Sequence, residues 1–400
     1  MGEPLPRGDR LCLLTLGSRL LQFAHLRPMW RPMWRVLTTA SLVLIITVDM
    51  ETQENARTTT SERDIPIKWY RTFIDPKVLI ELHKRSDLLG LLQSVGYLGT
   101  LCLTGGLAFY STTHWSIAVT VFLVFLHGTC FAFQINAVHE LGHGTVFQTR
   151  WLNRFFVHIF AFLGWIGHDM FNVSHTRHHQ YTLHPPDDGE VVLPTRILLK
   201  QFFQTGFVNL MGPYGTVKNT LLIARGKFCG NWELRLFPEG DMEKRRPHMN
   251  WARFLLIGHG LIFVGSVLAA IFVHPKYLML PVLISFGTSY GSWLFFSCNN
   301  TQHIGLQDNV PDFRLSCRTM ILNPVAQFLY WHMNYHTEHH MYAAVPCYKL
   351  GKLHRTIEHD LPPCPVGIIA TWKVIAAIQA KQKEDPKYQY VAPLPNAQES

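Results

Sequence analysis

The chain has 400 residues, enough for two or three soluble domains or for one polytopic membrane body. Charged residues are 16% and apolar ones 48%, a balance that excludes disorder, collagen-like repeats and small disulfide scaffolds. The formal net charge of +9 sits on Lys and Arg residues that flank apolar blocks instead of clustering on one face, so lipid headgroups, not nucleic acid, are the expected anionic neighbour.

Residues 1–64 form an N-terminal extension with no assigned function. RPMW occurs twice within Arg27–Trp34, and Leu37–Val48 is a mostly apolar run of twelve residues, short against the ~20 that a membrane helix needs. It reads as a signal-peptide core that starts late and lacks a small-residue cleavage site, or equally as sequence upstream of a start at Met50. The eight cysteines form no CxxC or other zinc-like pair, which points to scattered reduced thiols.

After the polar stretch Glu51–Asp64 come four apolar blocks of 22 to 24 residues, at 88–110, 115–138, 251–273 and 277–298. Each is long enough to cross ~30 Å of hydrocarbon as a helix. Ser111–His114 separates the first pair and three residues separate the second, so each pair predicts a helical hairpin. The two tight turns together hold one Lys or Arg, Lys276, whereas Arg150, Arg154, Lys244, Arg245, Arg246, Lys349 and Lys352 all lie outside the hairpins. The positive-inside bias therefore puts both termini and residues 139–250 and 299–371 in the cytosol, and the sequons at Asn172 and Asn299 are expected to be unglycosylated. The predicted fold is an all-α integral membrane body of two transmembrane hairpins, four spans in total, with a cytosolic helical cap. It occupies residues 65–371, followed by a cytosolic tail at 372–400. The shorter runs Phe155–Gly167, Met320–Trp331, Val191–Lys200 and Leu210–Lys227 are expected at the interface or in the cap.

The 22 histidines are not scattered at random. HELGH carries His139 and His143 at the end of the second block. HTRHH carries His175, His178 and His179, and HTEHH carries His336, His339 and His340; His303 follows the fourth block in NNTQH. At i, i+3 and i+4 on a helix, each set faces one way, and an even number of spans between them puts all on one side of the membrane. A tetrahedral zinc site takes four ligands at most from the protein. Eight or nine imidazoles suit two ions of higher coordination with positions left open for O2, and imidazole alone serves iron, copper, zinc or nickel.

Two rival readings use the same residues. HELGH satisfies HExxH, the zinc-protease signature in which Glu140 is the general base, but that leaves both HxxHH sets idle. A receptor or metal transporter would place ionisable groups near the middle of its spans, where this chain has only His127 and His259, with Arg253 near one end. Glu140 and Glu338 read as acceptors for imidazole N–H groups or as solvated carboxylates, as do Asp169 and Asp187. His127 lies too far from His139 to share an ion and reads as a packed polar residue or a channel contact. His168, His184 and His332 lie near the sets but outside their pattern; His332, at i−4 to His336, reads as a hydrogen-bond partner behind the site or as a surface residue. Trp165, Tyr290, Trp293 and Tyr330 are candidates for a substrate channel or for packing.

HxxxH, HxxHH and HxxHH in this order around helical hairpins resemble the membrane fatty acid desaturase/hydroxylase superfamily, over roughly Trp69 to Thr371. The resemblance implies a non-haem di-iron centre (two Fe2+) that activates O2 at the cytosolic face of the endoplasmic reticulum. Its ligands would be His139, His143, His175, His178, His179, His303, His336, His339 and His340, with no catalytic residue beyond them. Asn299 matches an NxxxH pattern of the family, in which the Asn orients a metal-bound water in some members. Three residues inside the first set resemble acyl-lipid, sphingolipid and carotenoid-modifying members. His336 stands where front-end desaturases show Gln, and His184-Pro185-Pro186 is not the HPGG of a fused cytochrome b5. The resemblance is thus to a stand-alone enzyme fed by a separate donor such as cytochrome b5 or ferredoxin. It implies desaturation of an acyl or other long apolar chain in lipid or specialised metabolism, with hydroxylation at the same site as the alternative.

Overall fold

The computed structural model describes residues 66–193 and 199–395, which are helical apart from loops and the isolated bridges Tyr70–Asp312, Val208–Tyr290 and Ile321–Val366. The extension 1–64, residues 194–198 of the run Val191–Lys200 and the end of the tail lie outside the described residues. Helix α1 (Pro76–His83) begins at Asp75, whose carboxylate accepts from Lys77 N at 2.8 Å. Ser86 caps α2 (Asp87–His114) and Ser116 caps α3 (Ile117–Phe131), so the turn between them is as tight as its few polar residues predict. Gly90, Ser94, Thr104, Ala108 and Ser111 of α2 are buried, while Leu88, Leu92, Leu103, Val121 and Phe122 are exposed. Small and polar residues inside with large apolar ones outside is the pattern of helices packed in lipid. Only Ala132 and Phe133 separate α3 from α4 (Gln134–Gly142), and Ile117–Gly142 forms one span-length unit.

Helix α5 (Arg150–Leu163) buries Phe156, Val157, Phe160 and Ala161 and leaves Trp151 and Phe155 exposed beside Arg150 and Arg154, the division expected of a helix lying in an interface. Helices α6 (His168–Tyr181), α7 (Leu199–Gly206), α8 (Gly212–Ala224) and α9 (Asn231–Leu236) lead to α10 (Met242–Phe272), capped by Asp241. Phe254, Ile257, Leu261, Val264, Leu268 and Phe272 leave its surface apolar. Among the described residues three helical units are long and apolar enough to cross a membrane: α2, α3 with α4, and α10.

The block 277–298, expected as a fourth helical span, is not one. It runs as a 3-10 turn (Pro275–Leu278), a π turn (Pro281–Ser285), a second 3-10 turn (Gly287–Ser289) and then α11 (Trp293–Asn299). Length and hydropathy predicted a helix, but Pro275 and Pro281 cannot donate to one, and Gly291 sits at φ +69°. The limb also presses too closely on its neighbours for a regular helix with side chains all round. A Cβ on Gly287 would lie 2.6 Å from the Phe131 ring. The limb nevertheless travels the length of the bundle, from Tyr277 beside Phe109 to Phe295 beside Phe133. Its freed carbonyls find side-chain donors: His127 Nε2 reaches Leu283 O at 3.0 Å, Trp165 Nε1 reaches Ser285 O at 2.7 Å, and Tyr290 Oη reaches Val282 O at 3.0 Å. Irregular backbone at this depth persists only where protein satisfies it.

The cap follows: α12 (Phe313–Ser316), α13 (Pro324–Leu329), α14 (His336–Met341), α15 (Leu350–Ile357) and α16 (Ile368–Glu384). The run Met320–Trp331 belongs to the cap core, with Met320, Tyr330 and Trp331 fully buried. Trp331 packs edge-on against Tyr97 and Phe160, locking the cap to α2 and α5. Helix α16 straddles the boundary expected at 371. Ile375 and Ile378 are buried, and Trp372 Nε1 donates to Ser297 O at 2.8 Å.

Candidate metal centre

Four elements meet where the spans end. Helix α4 brings His139 and His143, α6 brings His175, His178 and His179, α14 brings His336, His339 and His340, and the segment after α11 brings His303. All nine candidate ligands fall into two groups. One holds His139, His143, His175, His179 and His339; the other holds His178, His303, His336 and His340, and within each the nitrogens lie within 4.8 Å of one another. Each HxxHH set is divided. Successive helical residues point 100° apart, so His179 and His178 turn into different groups, as do His339 and His340. The sets therefore do not aim all their rings one way, as spacing alone suggested; each straddles two centres.

The donors fit a pair of ions. The rings of His139, His175, His178, His303 and His340 are held from behind at Nδ1. Their acceptors are Glu140 Oε1 (3.0 Å), Glu190 Oε1 (2.9 Å), Asp188 Oδ2 (2.7 Å), Ser316 O (2.8 Å) and Thr182 Oγ1 (3.1 Å). An N–H fixed there leaves Nε2 as a bare lone pair facing inward. The Nε2 atoms of His139, His143 and His340 are buried with no partner among the described residues, a costly state unless something electrophilic stands in front of them. His179 Nε2 lies 2.9 Å from His175 Nε2 and 3.1 Å from His339 Nε2, and His336 Nε2 lies 2.8 Å from His303 Nε2. Two nitrogens at right angles around an ion bound at about 2.1 Å would be about 3.0 Å apart.

Electrostatics agree with neutral ligands. Burial pushes His143 down to about 4 and His303 to about 3. Burial and then the neighbouring imidazoles hold His175, His179, His336, His339 and His340 well below the usual histidine range. His178 is the exception: burial would lower it, but the charge and hydrogen bond of Asp188 outweigh burial and raise it.

Several other candidates lie elsewhere. Glu338 accepts from His354 Nδ1 at 2.5 Å and from Thr319 Oγ1, tying α14 to α15 without touching a ring of either group. Asp169 pairs with His168, and Asp187 with Arg177 and Arg235. His332 meets Gln327, and His184 stands against Trp69. Trp165, Tyr290, Trp293 and Tyr330 are engaged in hydrogen bonds along the limb and cap, and none lines the cavity that opens beside the histidines. Asn299 does line it. Sequence reasoning missed Asp188 and Glu190. The string DDGE nine to twelve residues past His178 was the available signal, but which of its carboxylates turns inward depends on the loop.

A family model described as fatty acid desaturase matches residues 113–372, well over half of the chain and every histidine of both groups. No curated protein sequence matches the chain.

Proposed function

Because the chain belongs to the fatty acid desaturase family, a group of di-iron oxidoreductases, we propose that it removes two hydrogens from adjacent carbons of an acyl or other long apolar chain. The ligands are His139, His143, His175, His179 and His339 for one iron, and His178, His303, His336 and His340 for the other. With O2 and electrons from a separate donor such as cytochrome b5 or ferredoxin, the bound irons supply the oxidising power that ordinary acid–base side chains lack. The observation that carries this reading is the division of each HxxHH set between two adjoining groups of buried imidazoles.

The chain's own residues do the rest. Glu140, Asp188, Glu190, Thr182 and the Ser316 carbonyl hold imidazole N–H groups outward and so keep the opposite nitrogens aimed inward. A cavity of about 80 Å³ touches both groups through His139, His175, His178, His303 and His336. Ile135, Phe171, Val191, Ile304 and Met333 give it an apolar wall suited to a methylene segment. Burial of seven of the nine rings keeps bulk water from the reacting carbon. Glu140 faces the back of His139 and is buried, a poor position for the general base of a protease.

The return of the broken limb to His303 supports a site on one membrane face, and the basic residues outside the tight turns support the cytosolic face; the endoplasmic reticulum as the membrane rests on the family resemblance alone. The test is expression in a host lacking the activity, with product mass spectrometry. Loss of two hydrogens per chain is expected; gain of one oxygen makes the enzyme a hydroxylase, and peptide cleavage returns it to the protease reading. His178→Ala and His339→Ala are each expected to abolish product, and retention of two irons with full turnover in both would remove the histidine groups from the chemistry.

A further inference from the structure

The cavity beside the histidines contains a group that this scheme does not use. Asn136 is 3% exposed and lines the cavity, and its Oδ1 has no hydrogen-bond partner among the described residues. It stands on α4 one turn before His139, and residues three apart share a helix face. Its amide therefore opens onto the space that His139 bounds. A buried amide oxygen left unpaired is destabilising, and native interiors seldom tolerate it without a solvent or ligand partner. A methylene chain offers no donor. Asn299, from the end of α11, lines the same cavity together with Asn300, Gln302 and Glu190, so polar side chains from several elements share the chamber with its apolar wall, and among them the Asn136 oxygen is buried without a partner among the described residues. Gln134 is a useful contrast. It too is buried with an unpaired amide, but it is absent from the cavity lining and packs against Gly164.

We propose that Asn136 is a positioning residue whose amide holds an O–H group, from water or from a hydroxyl on the bound chain, in the cavity that touches both histidine groups. The proposal rests on the di-metal reading above. On that reading the amide fixes what stands next to the ions without being a ligand itself. A chain carrying a hydroxyl near the oxidised carbon would be favoured over its plain counterpart, because a site built to pair an O–H discriminates against its absence.

The test uses purified full-length protein loaded with Co2+, whose visible bands report the surroundings of the ion independently of turnover. Wild type, Asn136→Leu and Gln134→Leu are compared in lipid-free detergent, with 1-hexadecanol and with hexadecane. Two Co2+ per wild-type chain are expected; fewer would overturn the metal reading, and this proposal with it. Given two, a band shift in Asn136→Leu but not Gln134→Leu in lipid-free detergent identifies water as the O–H group. A shift confined to the 1-hexadecanol sample identifies the chain hydroxyl. Should Asn136→Leu match wild type in all three samples, the proposal falls while the metal reading stands. Asn136→Ala, which deletes only the amide, is read in the same way if the Leu variant fails to fold.

Discussion

His178 Nδ1 stands 2.7 Å from Asp188 Oδ2, and both side chains are buried. The same carboxylate group accepts from Leu183 N at 2.8 Å and from Glu190 N at 2.9 Å. Asp188 thus ties the loop after α6 to a ring of the four-histidine group. It also orients Glu190, which holds His175 of the other group. One residue therefore supports both centres. Asp188→Asn is expected to weaken metal retention by about 10- to 100-fold, the usual effect of losing a partner behind a ligand imidazole. Asp187→Asn, whose charge is spent on Arg177 and Arg235, should leave metal affinity nearly unchanged. Metal content after dialysis against graded chelator separates the two.

Glu140 serves the other side of the site. Its Oε1 accepts from His139 Nδ1 at 3.0 Å and lies 3.3 Å from His339 Nδ1 without a hydrogen bond, so the carboxylate holds one ring of the five-histidine group and stands close behind a second. The expected outcome for Glu140→Gln is reduced metal affinity with residual oxidation after metal is added in excess. A general base could not be rescued in that way. Activity that stays abolished at full metal occupancy would show that Glu140 does more than orient rings.

Much of this was legible in the sequence, and the reasons differ by residue. Eight of the histidines could be named because i, i+3 and i+4 spacing is set by helix geometry, and His303 by its place after the fourth apolar block and by the family resemblance. Their division into five and four could not, because it depends on the crossing of α6 and α14, which spacing does not fix. Hydropathy found α2, α3 and α10 but misjudged 277–298, since composition cannot report that Gly128 and Gly291 mark places where two backbones nearly touch, or that Gly287 lies against the Phe131 ring. Nearness in sequence is enough for Glu140, which holds the adjacent His139. It points to Asp187 beside the second set, yet Asp188 is the one that reaches, because the loop backbone, not the residue type, decides which neighbour turns inward.

The low pKa values of the ring nitrogens imply a direction for apoprotein stability. In the unfolded chain each imidazole takes a proton near its ordinary pKa of about 6.5. In the folded chain His143 does so at about 4 and His303 at about 3. Between those values the unfolded state binds more protons, so stability falls as pH drops below about 6.5, by up to about 1.4 kcal/mol per pH unit for each such ring. His178 has the opposite sign: its raised pKa adds stability that is present at low pH and lost as pH rises through the folded value. Burial raises Glu140 to about 8 and Glu190 to about 7, which gives them the same sign as His178, but the eight depressed rings of the two groups outnumber these three. Unfolding of the metal-free protein in detergent should therefore show a plateau near neutrality and a steep acid limb. A flat profile from pH 7 to 5 would contradict the buried neutral state of these rings.

The histidines inside the spans have a different task. His127 Nδ1 meets Thr104 Oγ1 at 2.9 Å and its Nε2 donates to Leu283 O at 3.0 Å. His259 links Ser285 Oγ to Phe162 O while stacked between Phe162 and Trp165. Both pin the irregular limb. His127→Leu leaves the Leu283 carbonyl unpaired, at a cost of about 1–3 kcal/mol. Its melting temperature should fall by a few degrees with metal content intact at low temperature, whereas loss of metal without loss of stability would point to a role at the site.

The limb also links a glycine deep in the bundle to His303. A Cβ placed on Gly128 would come 2.1 Å from Tyr290 O and 2.4 Å from its ring. The oxygen belongs to backbone, so no rotamer change relieves the clash, and the limb itself must move. Tyr290 is followed within a few residues by α11, and α11 leads to His303 through backbone bonds such as Thr301 N to Cys298 O at 3.1 Å. Displacement at Tyr290 is therefore carried toward a candidate ligand of the four-histidine group. Gly128→Ala is expected to cost about 3 kcal/mol through overpacking and to lower metal content as well. Gly99→Ala and Gly106→Ala, where an added Cβ meets nothing within 4 Å, should leave both quantities unchanged and even favour the helix slightly. If Gly128→Ala loses stability but keeps its full complement of metal, the limb is a passive span and His303 is positioned by the cap alone, through Ser316 and its neighbours.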